Sequence, residues 1–286
     1  MGYRLRGGEI QQQKLIARQR FCLWLLGVVI SLTSMVGVSG CSSVRQVLGR
    51  ELVPLQTEVE LGQKLARQIE AEHTVLRDPD LQRYVRFLAQ PLIEQAWVDR
   101  PGIEYRITVL DDDGQVNAFA LPGGPMYVFT GLLAMAEDEA ELAGVLAHEL
   151  GHVVARHSAN QLGTRFGVQL LVAVALGEAP EQLAQMAADI ASAGAMARFS
   201  RDDERQADDY GVRYTIGAGY DPLGLITLFA KMARLDEAGA SSLDRLLASH
   251  PATDERIARI KKRVGSTPNA GERNTERYRQ MTHSLR

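Results

Sequence analysis

Cysteine is nearly absent. The 286 residues hold two, Cys22 and Cys41, both near the amino terminus. The body of the chain therefore has neither a disulfide framework nor a cysteine-rich metal site. Aromatic residues make up only 6% of the chain, and no basic run is interleaved with them. That excludes an evident nucleic-acid surface. Long apolar runs are missing beyond residue 38, since the stretch 166–176 is too short to cross a bilayer. What is present is the composition of a packed globular protein: 45% hydrophobic, 23% charged, with a net charge of −3. The charge is uneven. Arg4, Arg6, Lys14, Arg18 and Arg20 face only Glu9 in the first 40 residues, and the remainder is net acidic.

The basic excess precedes an apolar run, Phe21 to Val38, and then Val38-Ser39-Gly40-Cys41. A charged start, an apolar middle and small residues before a break make a secretory signal. The cysteine after a small pair resembles the bacterial lipoprotein signal. That resemblance implies cleavage before Cys41 and lipid on its thiol and new amino group. The alternative is an uncleaved membrane anchor. In both readings the body of the chain lies outside the cytoplasm. Ser42, in place of an inner-membrane-retaining aspartate, points to the periplasmic face of the outer membrane. Residues 1–40 are thus read as signal and 41–56 as tether.

Apolar spacing predicts helices over 59–72 and 79–95. Tyr105 to Leu110 alternates as a strand, and Asp111 to Gly114 reads as a turn. Val116 to Leu121 and Met126 to Thr130 read as two further strands. Asp138 caps a long helix expected to reach about Ser158, with Glu141 completing a capping box. Gly144, Ala147, Gly151 and Ala155 give that helix a small-residue face. Further helices fit 180–196, 201–216, 222–236 and 254–264, and the segment 265–286 reads as a polar, disordered tail. The fold class is α+β, mostly helical with one small antiparallel sheet.

His148-Glu149-Leu150-Gly151-His152 is the pattern H-E-x-x-H. On a helix, residues four apart differ by about 40° and rise by about 6 Å, so both imidazoles can meet one metal ion. Glu149, turned about 100° from His148, can reach a metal-bound water without being a ligand. A catalytic zinc site needs a third protein ligand and an open position. His157, five residues after His152 and about 140° away, reads as a surface or capping histidine. Glu204 and Asp208 are one turn apart in a predicted helix. Glu204 could bind zinc while Asp208 orients a histidine; a solvated charged helix is the competing reading.

From about 57 to 264 the sequence resembles metallopeptidase family forty-eight, which includes the CAAX prenyl proteases and the HtpX heat-shock proteases. The resemblance rests on Asn117 to Gly124, Thr130 to Leu133, His148 to His157, Ser200 to Gly211, and Ser249-His250-Pro251 with Arg256. It implies a gluzincin fold with one zinc ion per chain, Glu204 as third ligand and Asp208 behind a histidine. It implies that Asn117-Ala118-Phe119 is an edge strand at the cleft, binding extended substrate by β-addition. By the same analogy His250 fills the open position at rest and Arg256 contacts a substrate carbonyl or oxyanion. Their alternatives are a helix cap and a surface arginine.

The expected function is zinc-dependent hydrolysis of unfolded or misfolded cell-envelope polypeptides, with contact to outer-membrane assembly machinery. Apart from the amino-terminal segment, the family's membrane helices find no match in this sequence, which argues against prenylated substrates; the tetratricopeptide domain of its longer periplasmic members finds none either, which argues against docking on a large assembly machine by that route. The rival is a zinc-bound holdase or assembly factor that rarely cleaves; an intact Glu149 favours the enzyme.

Overall fold

The computed structural model describes residues 53–191, 199–237, 246, 249–251, 253–265 and 271–285. All belong to one compact unit, Arg50–Arg286. The signal, most of the tether and Cys41 lie outside the described residues.

Helix α1 (Leu55–Glu72) leads to α2 (Pro79–Asp99). Asp78 caps α2 by accepting from the amides of Asp80 and Leu81, with Pro79 fixing the first turn. Three strands follow: β1 (Arg106–Leu110), β2 (Ala118–Ala120) and β3 (Pro125–Phe129). Then come α3 (Thr130–Met135), α4 (Glu139–Val154), α5 (His157–Phe166), α6 (Val168–Leu176) and α7 (Pro180–Ala191). The chain continues through α8 (Arg201–Gly217), α9 (Gly224–Glu237), α10 (Asp254–Val264) and α11 (Thr275–Met281). Among the described residues no helix is long and apolar enough to cross a membrane.

The mostly helical α+β class stands, but the sheet is mixed. Its order is β1-β3-β2, with β3 antiparallel to β2 and parallel to β1. Each turn does reverse the chain. The loop after β1 is wide enough, however, for β3 to enter between β1 and β2. Alternation predicts strands; it does not predict their partners. Ile107, Val109, Met126 and Val128 face the core shared with α2 and α4, while Phe119, Tyr127 and Phe129 face the core shared with α1, α6 and α7. Both faces are thus covered, and β2 is an edge.

Helix α4 runs through the centre, with Glu139 to Val153 all buried. It packs most closely on α8 and also meets α9, α2 and β2. The small-residue face is what permits this. A Cβ on Gly151 would lie 2.9 Å from the Ala207 carbonyl oxygen of α8, and one on Gly144 would lie 2.6 Å from the Leu225 nitrogen of α9. The backbones therefore approach closely enough for side chains of α8 to reach the α4 histidines.

Two expectations are corrected. Helix α4 ends at Val154, not Ser158, because Arg156 adopts the left-handed conformation (φ 63°) and turns the chain. The segment expected to be a disordered tail instead folds back over residues 271–285. Tyr278 is fully buried and donates to the Leu133 carbonyl at 2.8 Å. Arg277 pairs with the buried Glu139, and Arg273 bridges Asp138 and Asp221 at 2.7 Å each. The polar residues that looked like a solvated tail are spent on the acidic amino-terminal end of α4.

Candidate metal centre

Asp138 caps α4 by accepting from the Glu141 amide at 3.0 Å, and the helix then carries His148 and His152 one turn apart. Their Nε2 atoms lie 3.0 Å from each other. Helix α8 starts at a reciprocal box between Ser200 and Asp203, which places Glu204 in its first turn. Glu204 Oε2 is 3.5 Å from His148 Nε2, and Oε1 is 3.5 Å from His152 Nε2. His250, from the segment before α10, brings Nδ1 to 3.2 Å from His148 Nε2 and 2.9 Å from Glu204 Oε1. One donor atom from each of these four buried residues lies within 4.8 Å of every other.

This donor set fits a cation. Two imidazole nitrogens and a carboxylate oxygen converge on one point, where their lone pairs would repel unless something positive sat among them. Two histidines and a glutamate suit tetrahedral zinc coordination with a further position to spare. Glu149 lies alongside, with its Oε1 buried, without a hydrogen bond and 3.4 Å from His250 Nε2.

The electrostatics are sharply divided. Burial opposes charge on His148, but Asp208 and Glu204 outweigh it and lift the ring to about 9. Burial dominates at His152 and holds it well below the usual histidine range. Burial also raises the Glu149 carboxyl, against the pull of His250 and His148. For Glu204, burial is overcome by His250, His148 and His152, and its carboxyl is strongly lowered. Asp208 is lowered too, since Arg256 and His148 outweigh its burial.

Asp208 sits 3.1 Å from His148 Nδ1, on the side away from the cluster. Arg256 turns towards the carboxylates. Its Nε and one terminal nitrogen grip Asp208 at 2.9 and 2.7 Å. The other meets Glu204 at 2.6 Å and the Pro251 carbonyl at 2.9 Å. The guanidinium is 5% exposed and so committed to these partners, rather than aimed at a substrate oxyanion.

Strand β2 borders the cleft, where Asn117, Phe119, Ala120, Phe199 and His250 gather with Glu149. The Asn117 carbonyl accepts from Phe129, and the Leu121 amide donates to Pro125. By the alternation of antiparallel pairing, the backbone groups of Ala118 and Ala120 therefore point away from β3. The Ala120 carbonyl accepts from Ser158 at 3.3 Å, and a backbone hydrogen bond from Ala120 reaches Glu149. Asn117 is 1% exposed, yet neither polar atom of its side chain has a partner.

Three participants have no clear sequence signal. His157, expected at the surface, is buried beneath His152 with the two Nδ1 atoms 2.9 Å apart. The helical angle used to place it failed because the helix ends before it. Gln206 bonds to His157, and Phe199 lies over the His152 ring at a centroid distance of 4.0 Å.

A model of the family described as "Peptidase family M48" matches residues 76–264. The chain is 28% identical over 217 residues to the beta-barrel assembly-enhancing protease of Escherichia coli (strain K12), covering 72% of this chain and 44% of that protein. It is 32% identical over 167 residues to metalloprotease YcaL of the same strain, covering 57% and 63%. It is 36% identical over 151 residues to the mitochondrial metalloendopeptidase OMA1 of Schizosaccharomyces pombe, covering 52% and 43%. The chain spans about half the length of the curated relatives it matches.

Proposed function

Starting from the fact that the chain belongs to peptidase family M48, we propose that it is a zinc-dependent endopeptidase acting on unfolded or misfolded polypeptides of the cell envelope. The observation that carries this reading is the convergence of His148, His152 and Glu204 beside the buried Glu149 at the edge of β2.

His148, His152 and Glu204 would hold one zinc ion per chain. When bound, zinc supplies a Lewis acid that polarises the scissile carbonyl and acidifies water. Glu149 takes the proton of the attacking water and returns it to the leaving amine nitrogen. Burial raises its proton affinity, which favours its holding that proton. Asp208 fixes the orientation of His148, and Arg256 holds Asp208 and Glu204 in register.

An extended substrate adds to β2 through the outward amide and carbonyl of Ala118. The Asn117 side chain offers one donor group and one acceptor to the same stretch of substrate. Backbone pairing of this kind reads shape more than side chains, which favours unfolded segments. His250 is the resting-state latch: it stands between Glu204 and Glu149, where substrate and water must enter.

The setting is the periplasmic face of the outer membrane, with lipid on Cys41 as the tether. The similarity to a beta-barrel assembly-enhancing protease supports partners among outer-membrane assembly proteins.

The test is casein hydrolysis by the full chain purified in detergent, with zinc content measured on the same samples. Wild type should cleave, and His250→Ala should cleave faster. Zinc binding without cleavage by either protein would move the holdase reading ahead.

A further inference from the structure

His152 has two nitrogens, and only one can face the ion. Its Nε2 points at His148 and Glu204. A neutral imidazole that ligates through Nε2 carries its proton on Nδ1 and must donate it. The atom in reach is Nδ1 of His157, at 2.9 Å. To accept, His157 must carry its own proton on Nε2. That nitrogen lies 3.1 Å from Gln206 Oε1 and 3.3 Å from Asp203 Oδ1, both acceptors. The protons thus have one consistent arrangement along the whole line.

We propose that His157 is a positioning residue for the metal centre, accepting the Nδ1–H of His152 while donating its own Nε2–H to Gln206 and Asp203, and so fixing which nitrogen of His152 meets the ion. This rests on the reading of His152 as a zinc ligand. Helix α8 then supports both histidines. Asp208 holds His148 directly, while Asp203 and Gln206 hold His152 through a second imidazole. The backbone is shaped for this. Arg156 takes a left-handed conformation, uncommon for a residue with a side chain, and its guanidinium is anchored on Glu58 at 2.8 Å. That turn starts α5 at His157 and folds its ring back under His152. Asp203 divides its oxygens, Oδ2 on Ser200 at the cap of α8 and Oδ1 towards His157.

The experiment strips full-length protein with a chelator and titrates it with Zn2+ against a competing indicator. Co2+ is titrated separately, and its visible bands are recorded. His157→Phe should bind zinc about 10- to 100-fold more weakly than wild type and alter the Co2+ bands. His157→Gln, whose amide can accept from His152 and donate to Gln206, should recover most of the affinity. The zinc-free proteins should melt alike. Zinc affinity and Co2+ bands of His157→Phe equal to wild type would overturn the proposal. Should His157→Phe not fold, the double variant Asp203→Asn/Gln206→Leu replaces it; weakened zinc binding is expected, and unchanged binding and bands overturn the proposal. A wild type that binds no zinc sinks the metal centre itself, a separate failure visible in the control.

Discussion

The proposed chemistry turns on Glu149, and its environment is unusual for a carboxylate. It is buried, raised in proton affinity and left with an oxygen that makes no hydrogen bond. Replacing it with glutamine keeps the shape and removes the base. Cleavage should fall by about 10²- to 10⁴-fold, with zinc content unchanged, as turnover and metal analysis of one preparation would reveal. Arg256 has a different task. It is the cation between Glu204 and Asp208, so Arg256→Met leaves two buried carboxylates without their partner. Zinc-free protein should lose about 3–5 kcal/mol in urea unfolding. Added zinc should restore more stability to the variant than to wild type, because the ion offsets the same negative charge. The H-E-x-x-H spacing and the Glu204–Asp208 turn were legible at this scale because helical periodicity fixes which side chains share a face. The role of Arg256 was not, since analogy aimed it at substrate and only packing turns it to the carboxylates. His157 was hidden for a similar reason: a helix extrapolated through Arg156 sends it to the surface.

The centre depends on α4 and α8 lying close together. Gly151 sets that distance, with the Ala207 carbonyl oxygen only 2.9 Å from where a Cβ would stand. Gly151→Ala should therefore cost about 1–3 kcal/mol through overpacking and weaken zinc binding as α8 is pushed away. Thermal melts with and without zinc would register both effects. The carboxy-terminal segment is a second support. It closes over the amino-terminal end of α4 through Tyr278, Arg273 and Arg277. Tyr278→Ala should lose about 3–5 kcal/mol in denaturant unfolding, well beyond what removing a residue from a free tail would do. Most helices could be read from their apolar spacing, and the small-residue face of α4 foretold a close neighbour. The sheet order and the docked segment could not. Strand pairing and ion-pair partners are set by residues distant in sequence, and composition alone makes a paired polar segment look solvated.

The described residues combine a buried, electronegative centre with an edge strand. Binding of an ion to the folded centre should stabilise the protein by about 2.7 kcal/mol at a hundredfold excess of zinc over its dissociation constant. A chelator should accordingly lower the melting temperature. A melt indifferent to chelator and zinc would place no ion in the centre. Composition was informative here: scarce cysteine excluded sulfur ligands from the body of the chain. The partners of the cleft are less legible, because the proposed β-addition would read backbone and leave little trace in side chains. The central claim is that this chain cuts polypeptides with a metal held by His148, His152 and Glu204 and a base at Glu149. Its most direct test is casein cleavage by wild type and Glu149→Gln, with zinc measured in both. The account predicts equal zinc, cleavage by wild type and near-complete loss in the variant. Equal cleavage by both zinc-loaded proteins would contradict it.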